Sequence, residues 1–326
     1  MNANVNRLLV PLAIAFVLAA FQPSSVRAQT PPQDSQVFAW VTDEKGVTLN
    51  RGGELVLRYE FKSGGKPIVY PIVGPSGVAM TRDYPMKPVQ AGGTKDHIHH
   101  RALWLTHGEV NGVDFWLEDE KKAGRIVHED VVDSGVSDDG AKLVTTANWL
   151  TPDGQKLLHE KRTMIVSGPA ESRGIEFQFE LTATDKEVHF GDTKEGSFAI
   201  RVPDSMAVDQ KKGGTILNEH GERDDATWGK RARWVAYTGP VEEKTVGVAI
   251  LEHPSSFGHP CRWHVRTYGL FAANPFGEHH FVGGKPTEGH TLAKGDTLRL
   301  RYKLVMYAGS ADAEKIESQW KSFATN

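Results

Sequence analysis

Cysteine is almost absent: the 326-residue chain has one, Cys261. One thiol cannot close an internal disulfide, so an exported chain of this kind must be held together by its apolar core. As a nucleophile Cys261 is a poor candidate, because a lone thiol in apolar sequence is usually a packed side chain. Basic excess is lacking too. Lys and Arg number 38 against 41 Asp and Glu, for a formal net charge of −3. No basic run studded with aromatics occurs, which argues against nucleic acid as a partner. Long apolar runs are confined to the N-terminus, so no later segment is long enough to span a bilayer as a helix. Helix periodicity is scarce, and no repeat of the kind a propeller requires is present.

The N-terminus supplies the first positive signal. Arg7 precedes an apolar run from Leu8 to Phe21, and Val26-Arg27-Ala28 offers small residues at a cleavage position. Residues 1–28 therefore read as a secretory signal, and 29–36, "QTPPQDSQ", as a disordered lead-in. The product is expected to be periplasmic or extracellular, with no membrane attachment after cleavage. Residues 37–326 are expected to form a single domain.

Within that domain alternation dominates. Leu55, Leu57, Tyr59 and Phe61 share one parity, as do Ile175, Phe177, Phe179 and Leu181, and Leu298, Leu300, Tyr302 and Leu304. Period-two patterning of this kind marks strands with one face on a core. Turn residues separate the runs, and Pro152-Asp153-Gly154 marks a hairpin between two of them. Ile316, Trp320 and Phe323 fit one face of a C-terminal helix capped by Ser310. The class is all-β, and a large antiparallel sandwich of two packed sheets is the expected architecture.

Candidate chemistry begins at "DHIHHRALWLTHGEVNGVDFW", residues 96–116, which concentrates His97, His99, His100 and His107 beside Trp104 and Trp116. If extended, this segment directs His97 and His99 to one face and His100 to the other. Two imidazoles on one face can ligate a divalent metal, with a third His from residues 253–264. Alternatively they exchange protons with a ligand. Three further segments mix aromatics with charge: Glu195 and Arg201 in "GDTKEGSFAIRV", Trp228 to Trp234 in "DDATWGKRARWVAY", and Trp263, His264, Arg266 and Tyr268 further on. Each alone is explained by core aromatics under a charged surface. Together they suit a sugar, whose CH face stacks on rings while its hydroxyls take polar partners.

The segments "DHIHHRALWLTHGEVNGVDFW", "WGKRARWVAYTG", "GVAILEHPSSFGHPCRWHVRTYGLFAANPF" and "LAKGDTLRLRYKLVMYAG" resemble the bacterial family labelled "PmoA-like" or methane oxygenase PmoA, also catalogued as a domain of unknown function. The likeness covers nearly the whole mature chain and keeps segment order. The label implies particulate methane monooxygenase, whose subunit of that name spans the membrane repeatedly. This chain has no such spans after its signal, so the resemblance supplies a family and no catalytic set. The strand pattern is also similar to the galactose mutarotase-like sandwich class, in which His residues and a carboxylate act on a sugar ring.

The sequence thus points to an exported carbohydrate-active protein performing hydrolysis, elimination or epimerisation, with no cofactor required. His97, His99, His264 and Glu195 are the candidate acid/base groups. Arg101, Arg201 and Arg266 are candidates for an oxyanion or a substrate acid group, and Trp104, Trp116 and Trp263 for stacking. Two alternatives stand beside it: a metal enzyme with His97, His99 and His100 as ligands, and a noncatalytic carbohydrate-binding protein.

Overall fold

The structure is a computed structural model that describes Met1 and residues 37–89, 92–119, 121–138, 140–169 and 172–326. The expected signal and lead-in lie outside the described residues, Met1 excepted. Two eight-stranded antiparallel sheets pack face to face. The first runs β1 (Phe38–Asp43), β2 (Gly46–Arg51), β3 (Glu54–Ser63), β4 (Lys66–Ile72), β5 (Leu103–His107), β11 (Gly196–Arg201), β16 (Leu270–Asn274), β15 (Arg262–Val265). The second runs β12 (Thr215–Asn218), β13 (Trp234–Val241), β14 (Lys244–Glu252), β18 (Thr297–Ala308), β9 (Gly174–Ala183), β8 (Lys156–Ser167), β7 (Gly140–Leu150), β6 (Arg125–Ser137). A ribbon pairs β10 (Val188–Phe190) with β17 (His290–Leu292). The fold is the all-β sandwich that the alternation predicts.

Register explains the core. Ile175, Phe177, Phe179 and Leu181 of β9 lie opposite Leu304, Tyr302, Leu300 and Leu298 of β18, and all eight are buried. β3 departs from its expected pattern. A register shift against β2 turns both Val56 and Leu57 inward and leaves Leu55 38% exposed. An extra residue in a strand has this effect on alternation. The hairpin at Pro152 joins β7 to β8 as expected.

Two helices are present among the described residues, α1 (His279–Val282) and α2 (Ala313–Ala324). The cap of α2 is Asp312 rather than Ser310; its side chain accepts the Lys315 N–H at 3.1 Å. Ile316 and Phe323 pack against Leu217, Trp234 and Leu251, covering the outer face of the second sheet. Trp320 pins the helix by donating its indole N–H to the Glu252 carbonyl at 2.8 Å.

The outer face of the first sheet is built differently. Inward residues of β5, β11 and β16 such as Leu105, Phe198 and Phe271 belong to the main core. Their alternates form a second cluster on the other face, with Ile68, Tyr70, Trp104, Ala199, Leu270 and Ala272. One row crosses four strands as Trp104, Ala199, Ala272 and His264. Loops rather than a helix cover this face.

Between the sheets lies a buried ion pair. Arg162 bonds Glu160 at 2.7 Å, and the Trp149 indole donates to the other Glu160 oxygen at 2.8 Å. Arg162 also sits over the rings of Tyr59 and Phe179. Removing one partner strands a charge in the core, so Arg162→Met is expected to cost about 3–5 kcal/mol. The double variant Glu160→Leu with Arg162→Met is expected to regain most of that loss. Urea unfolding of the single and double variants checks this, and a single variant as stable as wild type contradicts it.

Candidate functional site

Residues 92–102, between β4 and β5, contain no strand. His97 adopts φ 46°, and the His100 N–H donates to the His97 carbonyl at 2.9 Å, so the chain turns tightly. The turn removes the alternation that an extended segment imposes. His97 and His100, expected on opposite faces, stack at 4.6 Å with their planes 7° apart.

Two buried arginines hold this turn. Arg201 of β11 donates to both Asp96 carboxylate oxygens at 3.0 Å and to His100 Nδ1 at 3.1 Å. Arg82 bonds the Asp96 carboxylate and donates to the carbonyls of Asp96 and His97 at 3.0 and 3.2 Å. Burial alone pushes the Asp96 carboxyl up, but the Arg201 charge and hydrogen bonds from His97, Arg201 and Thr94 hold it well below the usual carboxylate range. Because a guanidinium only donates, His100 Nδ1 is the acceptor and its Nε2 carries the proton. A cavity of about 290 Å³ is lined by Thr81, Arg82, Tyr84, Asp204 and Gln210, so this network forms part of its wall; His97, His99, His264 and Glu195 do not line it.

His100 is buried against Trp104 and Trp116, with ring centroids 5.5 and 5.7 Å away. On the other side of the turn Lys66 donates to the His99 carbonyl at 3.0 Å and to Glu118 at 2.9 Å. Arg101 grips both Glu118 oxygens. The backbone of His99 is thereby fixed, while its ring makes no hydrogen bond among the described residues.

Glu195 stands immediately before β11, half-buried and paired with Lys194 at 2.8 Å. Its charge acts on five groups at once: His99, His264, His280, Tyr268 and Asp114. Burial, reinforced by the Lys66 charge, pushes His99 down to about 4. Burial, reinforced by Arg266 and Lys194, pushes His264 down to about 4 against the pull of Glu195. Both imidazoles are neutral at neutral pH. His264 Nδ1 lies 2.9 Å from the Lys194 carbonyl, so it carries the proton and leaves Nε2 as an acceptor. Burial raises the Tyr268 phenol, which keeps its proton. Half-buried rings of Tyr268, Trp228 and Phe281 border the group; Phe281 lies 5.2 Å from Trp228 and 6.1 Å from His264. His97 stacks on Tyr268 at 5.0 Å.

The structure therefore joins His97, His99, His264 and Glu195 in one neighbourhood and reassigns most of the other residues. Trp104 and Trp116 are wholly buried, so they pack beneath the site and offer no stacking face to a ligand. Trp263 points into the main core and donates to the Ala232 carbonyl. Arg101 is neutralised by Glu118 and Arg201 by Asp96, so both position the turn. The metal reading meets a geometric obstacle. Among the described residues no three His, Cys, Asp or Glu are placed to hold an ion. His253 and His259, the distant candidates, bond Arg301 and Glu252 and contact Phe323 and Trp320 of α2 instead. Asp96, Arg82, Lys66 and Glu118 were not among the residues the sequence singled out, and Tyr268 was marked there only as one aromatic of a mixed segment. Asp96 opens the histidine-rich segment, and that adjacency was its only signal.

A family model matches residues 46–321. The chain belongs to DUF6807, a family of unknown function. Among curated proteins no sequence matches it. Solved structures similar to the chain include the galactosidase domain of an α-galactosidase–sucrose kinase, at 10% identity and a TM-score of 0.42 over 83% of this chain and 42% of that one. A GH36 α-galactosidase from Geobacillus stearothermophilus gives 11% identity and a TM-score of 0.38, over 85% of this chain and 40% of that one. A galactose mutarotase-like protein from Lactobacillus casei gives 10% identity and a TM-score of 0.28, over 83% of this chain and all of that one. The chain spans less than half the length of either galactosidase. Among the described residues no helix is long and apolar enough to cross a membrane.

The buried imidazoles set a pH dependence. His99, His264 and His107 take protons near 4 in the folded state against an ordinary 6.5, and His100 lies well below that ordinary value. Between these limits the unfolded chain binds more protons than the folded one. Stability is therefore complete above about 6.5 and falls as pH drops toward 4. Thermal midpoints between pH 7.5 and 4.5 are expected to decline. Replacing His107 with Gln, which can still donate to the Gly191 carbonyl that His107 Nε2 meets at 2.8 Å, is expected to lessen the slope. A flat profile in the wild type contradicts the assignment.

Proposed function

We propose that this is an exported, periplasmic or extracellular, carbohydrate-active protein that performs proton-transfer chemistry on a sugar ring bound over the outer face of the first sheet. The observation that carries this reading is the packing of the His97 ring on both His99 and Tyr268, with His264 held on the Lys194 carbonyl next to Glu195. A carboxylate accepts a proton, a phenol returns one, and neutral imidazoles bind hydroxyls as donor and acceptor without adding charge. The half-buried Trp228 and Phe281 supply apolar ring surface for a pyranose face.

Epimerisation or elimination fits better than hydrolysis by a carboxylate pair. The nearby Asp114 is engaged by the backbone N–H groups of Trp116 and Leu117 at 2.7 and 2.9 Å. Its role is to hold the loop that carries Trp116, and it leaves Glu195 as the carboxylate of the site. Two-carboxylate hydrolysis needs both groups facing the bond to be broken.

A purified Glu195→Gln variant, checked for folding, is expected to lose about 10²–10⁴-fold in turnover on a responsive sugar, and His99→Ala is expected to raise KM through loss of a hydroxyl contact. His97→Ala is expected to be milder, because its ring packs on Tyr268 and His100. A panel of sugars in deuterated water, read by loss of ring C–H signals, reports proton abstraction directly. Full activity in both the Glu195 and His99 variants sinks the assignment. Sugar binding without exchange or turnover in the wild type supports a binding protein instead.

A further inference from the structure

The cations around the site are not equivalent. Arg101 and Lys66 share Glu118, Arg82 and Arg201 share Asp96, and Lys194 pairs with Glu195. Arg266 is the exception. Its guanidinium sits over Trp228 and Tyr268, 5.7 and 5.6 Å from the ring centroids, with no carboxylate or hydrogen-bond acceptor among the described residues. It is half-buried, so its five donors are partly withdrawn from water and unmatched by protein. Two aromatic rings restrain it, which lowers the ordering cost of binding a planar anion.

Arg266 follows β15 two residues after His264, and its charge acts on both His264 and Tyr268, the groups on which the Glu195 charge acts. The site therefore holds one carboxylate already paired and one guanidinium still open. We propose that Arg266 receives a carboxylate of the substrate, so that the substrate class is an acidic sugar, a uronic acid residue within an oligosaccharide. The proposal rests on the sugar reading of this site and narrows it.

The chemistry gains a reason from this pairing. In a uronic acid the ring C–H beside the carboxylate is the acidic one, and neutralising that carboxylate lowers the barrier to its removal. Glu195 takes the C5 proton, and the electron pair moves into the carboxylate as an enediolate held by Arg266. The Tyr268 phenol delivers a proton to the opposite face of C5 to give the epimer, and the proton on Glu195 passes through solvent to the phenolate to reset both groups. Alternatively the pair forms a C4–C5 double bond as the C4–O bond breaks, and the Tyr268 phenol protonates the leaving oxygen. Neither course needs an oxidant or a further reactant.

The test is affinity measured by calorimetry on the full chain with oligogalacturonate, oligoglucuronate and oligoalginate, each beside its methyl ester, and with neutral cellotriose and galactotriose. At least one acid is expected to bind about ten- to a hundredfold tighter than its ester, as a charge-assisted pair allows. That preference is expected to shrink with added salt. Arg266→Gln is expected to abolish the preference for the acid over its ester, and Arg266→Lys to leave an intermediate preference. The wild-type acid-to-ester ratio and its salt dependence decide the matter even if a variant misfolds. Neutral sugars or esters bound as well as acids overturn the acidic-sugar proposal and leave the sugar site standing. Failure of every sugar to bind overturns both.

Discussion

Asp96 between Arg82 and Arg201 is the contact on which the rest of the site depends. Both arginines are buried and repel one another, and the carboxylates of Asp96 and, at 4.0 and 3.9 Å, Asp204 make their proximity tolerable. Removing one member of such a group leaves uncompensated charge in a poorly solvated place. The same contact ties a loop to a strand. Arg201 belongs to β11, which Glu195 precedes, and Asp96 adjoins His97. The spacing between the carboxylate and the imidazoles is therefore set by one hydrogen-bonded junction and by the register of β11 against β5 and β16.

Burial that fixes the imidazoles also changes what they can do. Histidine is attractive in a sequence because its ordinary titration lies near neutral pH. His99 and His264, held near 4, no longer have that property. They become fixed polar groups that donate or accept hydrogen bonds without adding charge. In the function proposed above, proton transfer falls to the groups beside them, a half-buried carboxylate and a phenol.

Alternation made the sandwich legible, because hydrophobic period directly encodes which side of a strand faces the core. β9 and β18 follow it residue by residue, while β3 does not, since a bulge leaves no mark in composition. The site was legible only as a density of His, Arg and aromatics. Which of these would be exposed was not. Trp104 and His264 share a cross-strand row and both are buried, the indole beneath loops and the imidazole on the Lys194 carbonyl. The His97–His100 turn was hidden because a non-glycine residue at positive φ is uncommon, and extended geometry is the default for a segment entering a strand. The pairing of each arginine depends on contacts distant in sequence. Arg201 meets Asp96 across 105 positions, and no local pattern distinguishes it from the open Arg266.

The two outer faces of the sandwich show why the site lies where it does. Both sheets need cover on their outer apolar residues. The second receives α2, whose apolar stripe packs directly on the sheet. The first receives turns, whose side chains and backbone groups must find partners one by one. Ala199 and Ala272 are central to this arrangement. They sit side by side in the row between Trp104 and His264, where larger residues would fill the layer themselves. Their small size leaves room for Trp116 and Tyr268 to pack down from the loops. Tyr268 then carries His97 on its ring and lies beneath the guanidiniums of Arg201 and Arg266. The polar machinery is thus seated on a pair of methyl groups, and the chemistry of the face follows from how little side chain the sheet provides at its centre.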